Sequence, residues 1–224
     1  MIYLKIKGQE VERDVLFYRP PAQSPGRRGT SCSQYRLYDS LMAKLKGVVV
    51  DDLNLILMRT SIRHFDKNKK IKRDMLKILV QAGMCAPSAM NIQPWEFIVV
   101  SERNLLNLLA ETLPNASMLR EAGAAIVVCG RPGKDDRGVA EKFWVQDCSA
   151  ATENILLAAE AVGLGAVWTG LYPDEGRFGK VRSLLSIPEE IIPLNVIPIG
   201  YAIEKTLPKD KWDEEKLHWE KWSS

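Results

Sequence analysis

From Asp51 onward, apolar positions recur in helical and strand patterns. Residues 71–86 place Met75, Leu76, Leu79, Val80 and Met84 three and four apart, which predicts an amphipathic helix. Leu53, Ile56 and Leu57 predict a shorter helix running to Arg59, capped by Asp51 or Asp52. Residues 105–113 predict a third, stopped by Pro114. The longest runs over 143–162. Its small residues (Ser149, Ala150, Ala151, Ala158, Ala159) leave it nearly apolar all round, which predicts a central, buried helix. Gly163-Leu164-Gly165 ends it, and a short helix is expected at 178–185. Strands are predicted at 96–100, at 124–129 (ended by Gly130 and the turn Arg131-Pro132-Gly133), from Ala166 through Trp168, and at 195–203. Helices separate the strands, so the class is α+β around a central sheet. Strand order is not legible at this level, and no internal repeat is present.

The first fifty residues follow a different pattern. Ile2–Ile6 alternates as a strand does, and Val15-Leu16-Phe17-Tyr18 could be another. The run Arg19-Pro20-Pro21-Ala22-Gln23-Ser24-Pro25-Gly26-Arg27-Arg28-Gly29 has breakers and little apolar content. Residues 1–50 are therefore expected to be an N-terminal extension, partly disordered, ahead of one domain over 51–224.

Charge sharpens that division. The 224-residue chain has a net charge of +3. Residues 1–50 hold nine Lys/Arg against four Asp/Glu, a surplus of five, which leaves 51–224 at −2. The basic stretch lacks interleaved aromatics past Tyr38, so no nucleic-acid partner is expected. No apolar run reaches the roughly 18 residues of a membrane span, and no secretory signal opens the chain. Cys32, Cys85, Cys129 and Cys148 are widely spaced, without a Cys-x-x-Cys pair. The last three lie in apolar segments and are expected to be buried, in a reducing cytoplasm. His64 and His218 lack metal-ligand spacing, so no metal is expected.

Candidate chemistry concentrates in four segments. Arg59-Thr60-Ser61-Ile62-Arg63 sets two guanidiniums four apart; on a helix end they would share one face and could grip a phosphate or carbonyl edge together. Taken alone, it reads rather as a solvated basic helix end. Pro87-Ser88-Ala89-Met90-Asn91-Ile92-Gln93-Pro94-Trp95 leaves a helix and enters a strand, with Ser88 and Asn91 able to donate to a ring edge. It could also be only a rigid connection. Gly163-Leu164-Gly165 is no dinucleotide fingerprint, because Trp168 takes the third glycine's place and a helix precedes it. Pro208-Lys209-Asp210-Lys211 places two cations two apart; by itself it reads as a charged tail.

In order and spacing, the arginine, proline-flanked and lysine segments, with Gly163-Leu164-Gly165-Ala166-Val167-Trp168-Thr169-Gly170-Leu171, resemble the nitroreductase family over about residues 51–222. The resemblance implies a nitroreductase-like α+β fold: a mainly antiparallel sheet flanked by helices, in an intertwined homodimer with a C-terminal arm over the partner. Trp212, Leu217, Trp219 and Trp222 suit such an arm. It also implies an FMN cofactor that carries the chemistry, with NAD(P)H as electron donor and a nitro, quinone or similar electron-poor acceptor. Arg59, Ser61 and Arg63 would then meet the ribityl phosphate and pyrimidine side. Pro87, Ser88 and Asn91 would line the flavin from the partner subunit. Trp168, Thr169 and Gly170 would approach its N5 edge, and Lys209 and Lys211 its phosphate. Ala89 stands where many relatives have serine, and Lys211 where many have arginine. Some relatives dehalogenate aromatics or consume the flavin itself, and a flavin-binding protein without turnover is a further alternative. Asn115, Arg120 and Glu121 are candidate cover residues.

Overall fold

The chain divides into two units, Met1–Lys44 and Leu45–Ser224. The computed structural model describes residues 2–6, 9–13, 50–204 and 206–222, those before 53 by backbone alone. In the first unit, β1 (Ile2–Ile6) pairs antiparallel with β2 (Gln9–Arg13). The second strand has one apolar residue, Val11, among polar ones, so it gave no apolar signal. The strand expected at 15–18 and the disorder expected at 19–29 lie outside the described residues.

The second unit is α+β. Its elements are α1 (Val50–Met58), α2 (Arg73–Met84), β3 (Trp95–Val100), α3 (Arg103–Thr112), β4 (Ala124–Gly130), α4 (Val139–Ala161), β5 (Gly165–Ala166), β6 (Thr169–Gly170), α5 (Glu175–Leu185) and β7 (Ile192–Gly200). The sheet order is β3-β4-β7-β5, with β6 also on β7, and every ladder is antiparallel. Alternate residues of β4 feed two cores, as the strand period requires. Ile126 and Val128 pack with Leu76, Leu79, Trp144 and Ile155 of α2 and α4. Val127 and Cys129 pack with Leu106, Leu109, Leu119 and Val181 on the opposite face.

Several expected boundaries move, each for a physical reason. Helix α1 starts at Val50, ahead of the aspartates expected to cap it. Helix α4 starts four residues early because the Asp135 carboxylate accepts from the N–H groups of Arg137, Val139 and Ala140. Those bonds, Ala140's foremost, hold its pKa below the usual carboxylate value. Nor is α4 enclosed all round: Glu141, Lys142, Gln146 and Glu153 are exposed on one side. The strand expected from Ala166 through Trp168 splits into β5 and β6. Opposite the break, Pro198 accepts from the Val167 N–H at 3.3 Å but has no N–H to return. The β4–β7 register slips between Val128 and Cys129, leaving Leu194 as an extra residue on β7. Its carbonyl accepts from both Leu171 and Tyr172, which anchors the chain leaving β6. Cys85 is exposed, against expectation, at the end of α2, while Cys129 and Cys148 are buried. No described helix is long and apolar enough to cross a membrane.

Candidate functional site

Beyond α1 the backbone does not stay helical. The Arg59 N–H still bonds to Leu55, but Ser61 then makes a parallel bridge to Ala166 and Phe65 an antiparallel one to Ala202. Ile62 donates to Ala166 (3.0 Å), Asp66 to Tyr201 (2.8 Å), and Ile203 to His64 (3.2 Å). Residues 61–66 are thus a ribbon sewn to β5 and to the chain leaving β7. Two side chains anchor it, Ile62 against Gly165 and Phe65 against Gly200. A Cβ on either glycine would sit 2.7 Å from the anchor, so each glycine exists for close approach. With Ile62 and Phe65 buried, Arg63 and His64 face outward.

Arg63 thereby lines a cleft of about 390 Å³ with Leu113, Pro114, Asn115, Met118, Trp168, Thr169, Gly170 and Arg177. The floor follows from strand parity. Val167 and Leu171 donate to β7, and the Thr169 hydroxyl donates to Val196 at 2.6 Å. The alternate backbone groups, those of Trp168 and Gly170, are left on the open edge. A Cβ at Gly170 would meet nothing within 4 Å, so the glycine leaves room there.

The structure brings together four expected site residues, Arg63, Trp168, Thr169 and Gly170. Arg59 and Arg63 do not share a helix face, because the helix ends at Met58, ahead of both. Arg59 turns instead to Glu153 of α4, with Nε 3.2 Å from its carboxylate. Ser61 is half-buried in the ribbon. Lys209 and Lys211 are exposed on the tail, which the Thr60 hydroxyl ties back through Thr206 at 3.3 Å. Pro87, Ser88 and Asn91 do not line this cleft. They belong to a loop held against α4, in which Asp147 accepts from the Ala89 N–H (3.1 Å) and Ser88 Oγ accepts from the Gln93 N–H (2.9 Å). The Lys134 ammonium donates to the Gln93 carbonyl at 2.6 Å. Asp147 is only 7% exposed, and burial pushes its pKa up despite the Ala89 bond.

Of the candidate cover residues, Asn115 lines the cleft, while Arg120 pairs with Glu111 at 3.4 Å. Sequence reasoning missed Arg177. Its local signal was Asp174 three residues before it, at a helix start. A cysteine nucleophile has no support in the buried pair: burial pushes the Cys129 thiol up to about 12 and raises Cys148 as well. No cluster of three or more His, Cys, Asp or Glu able to hold a metal occurs among the described residues.

Comparison with known proteins identifies the family. The sequence profile of the Nitroreductase family matches residues 56–117 and 108–201. A Methanothermobacter thermautotrophicus protein, provisionally named NADH dehydrogenase/NAD(P)H nitroreductase, is 43% identical over 173 residues, covering 77% of this chain and 88% of its own. A crystal structure from Parabacteroides distasonis with the same provisional name superposes with a TM-score of 0.71 at 45% identity, covering 76% of this chain and 98% of its own. An FMN-dependent nitroreductase from Clostridium difficile superposes at 0.68 with 26% identity, covering 76% and 99%. With the ribbon, the split edge strand and the two-sided core in place, the chain belongs to the nitroreductase family.

Proposed function

We propose that this chain is an FMN-dependent oxidoreductase that takes reducing equivalents from NAD(P)H and passes them to nitro, quinone or similar electron-poor compounds. The observation that carries this reading is the meeting, in one cleft, of the Arg63 guanidinium and the open backbone edge at Trp168–Gly170. Those residues fit a flat, polar-edged cofactor. The guanidinium offers planar donors to a carbonyl edge or phosphate. The Gly170 position has space for a ring to approach the backbone. FMN held there would supply the redox chemistry, hydride transfer from the nicotinamide and reduction of the acceptor.

The chain's own residues bind and orient. Arg63 stabilises negative charge at the mouth of the cleft, and the outward Gly170 N–H donates to a ring edge. Leu113, Pro114, Met118 and Trp168 make an apolar wall that limits water. No side-chain acid or base is required in this reading. Arg59 and Ser61 extend the ribbon's polar edge, and Lys209 and Lys211 add cations from the tail.

The working form in this reading is a homodimer. Leu53, Ile56 and Leu57 of α1 and Trp212, Trp219 and Trp222 of the tail are exposed, more apolar surface than a lone subunit usually leaves in water. Pro87, Ser88 and Asn91, turned away from their own cleft, would then complete the partner's. Among the described residues Cys85, Cys129 and Cys148 are free, which fits the cytoplasmic setting of this reading.

An absorbance spectrum of the purified, FMN-reconstituted protein, before and after anaerobic NADH or NADPH, tests the reading. Flavin bands should bleach and return when menadione or a nitroaromatic is added. Bands that no nicotinamide bleaches would leave a flavin-binding protein without turnover. Failure to retain FMN would refute the site.

A further inference from the structure

We propose that Arg177 is the anion-binding residue for the electron acceptor, so that the cleft selects conjugated, electron-poor compounds carrying a carboxylate. This deepens the function proposed above and rests on it. Among the described residues, the charged side chains lining the cleft are two guanidiniums, from different elements: Arg63 on the ribbon and Arg177 on α5. Arg63 has its place beside the Trp168–Gly170 edge. Among the described residues the polar contacts of Arg177 are with Asp174, the cap of its own helix, and none ties it to another element. It stands in the first turn of α5, where the helix dipole disfavours a cation.

Asp174 makes that placement tolerable and also aims the group. Its Oδ1 accepts from the Arg177 N–H at 3.1 Å, and its Oδ2 lies 3.0 Å from Nε. Holding Nε fixes the plane of the guanidinium. No described carboxylate pairs with its two terminal nitrogens, which form the fork that receives a carboxylate side-on. The surroundings suit the rest of such a molecule. Trp168, Leu113, Pro114 and Met118 give an apolar wall for a ring, and Asn115 a neutral amide for a carbonyl or nitro oxygen. Arg177 is about half exposed, so water screens the pair, and its effect should be moderate.

The test uses the flavin-loaded full chain with NADH as donor and two matched acceptors, 4-nitrobenzoate and its neutral methyl ester. Arg177→Gln should raise KM for 4-nitrobenzoate about two- to fivefold with kcat unchanged, and leave the ester unaffected. Arg177→Lys, which keeps the charge but not the fork, should recover part of the loss. Calorimetry gives a readout free of turnover: benzoate should bind the wild type and lose about the same factor in Arg177→Gln, with benzamide unchanged. Equal effects on acid and ester would overturn the proposal. So would a weakened FMN affinity in Arg177→Gln, which would place the residue at the cofactor. A KM change for NADPH alone would assign the anion to the donor's 2′-phosphate and overturn it too. Bleaching of the wild-type flavin by NADH, and turnover of the ester, report separately on the underlying function.

Discussion

Gly200→Ala tests whether the ribbon's anchors set the cleft. Gly200 is buried at the end of β7, and an added Cβ would lie 2.7 Å from Phe65 Cδ1, 2.9 Å from Cγ and 3.0 Å from Cβ. Real carbon contacts do not occur at the first of these distances, so the ring must move. It has little freedom: Phe65 is 1% exposed, and the backbone on either side is bonded to Tyr201 and Ile203. Overpacking of this kind costs about 1–3 kcal/mol. At 2–4 °C per kcal/mol for a chain of this size, Tm should fall by about 2–12 °C. Arg63 lies two residues from Phe65, so the ring's shift should also weaken FMN binding. Trimming the ring should relieve the clash. Phe65→Leu alone should cost about 1–2 kcal/mol, less than the range for complete truncation. Combined with Gly200→Ala, it should leave the protein at least about 1 kcal/mol more stable than the sum of the single effects predicts. Urea unfolding gives the energies, and flavin fluorescence quenching gives the FMN Kd. Wild-type stability in Gly200→Ala, or strict additivity in the pair, would refute the anchoring argument.

Gly170 offers the opposite case, because the space beside its Cα is open. Gly170→Val should shift stability by no more than about 0.5 kcal/mol yet raise the FMN Kd about tenfold or more. A large loss of Tm would show that the glycine serves the fold instead. Asp147 makes a pH prediction. Burial raises its folded pKa above the unfolded value of 3.8, and the Ala89 bond only partly opposes this. Its contribution to stability is therefore full below that value and lost as pH rises through the raised folded pKa. Asp147→Asn can still accept from Ala89 but cannot ionise. It should gain stability relative to the wild type as the pH is raised from about 4. Parallel Tm curves for the two proteins would contradict the shift.

The sequence carried what short-range periodicity can encode. The α2 spacing, the β4 run and the apolar length of α4 each reflect one element's burial. What it could not carry was pairing across distance. Arg59 and Arg63 look alike locally, and only the bonds of Ile62 and Asp66 to strands more than a hundred residues away send them in different directions. The split after β5 follows from a proline thirty residues on. The loop at 88–93 shows the limit most clearly. Met90, Asn91 and Gln93 all have positive φ, at 50°, 56° and 56°, a conformation that side-chain-bearing residues seldom adopt. Strain of roughly 1–3 kcal/mol each persists only where the surroundings over-determine the backbone. Here Asp147, Ser88 and Lys134 do so. Yet Met90 is 65% exposed and Asn91 is exposed too, and neither lines the cleft of its own chain. A loop strained, clamped from three sides and then left facing outward has no account within one subunit. In the homodimer proposed above, the clamp would present Ser88 and Asn91, in fixed orientation, to the partner's cleft.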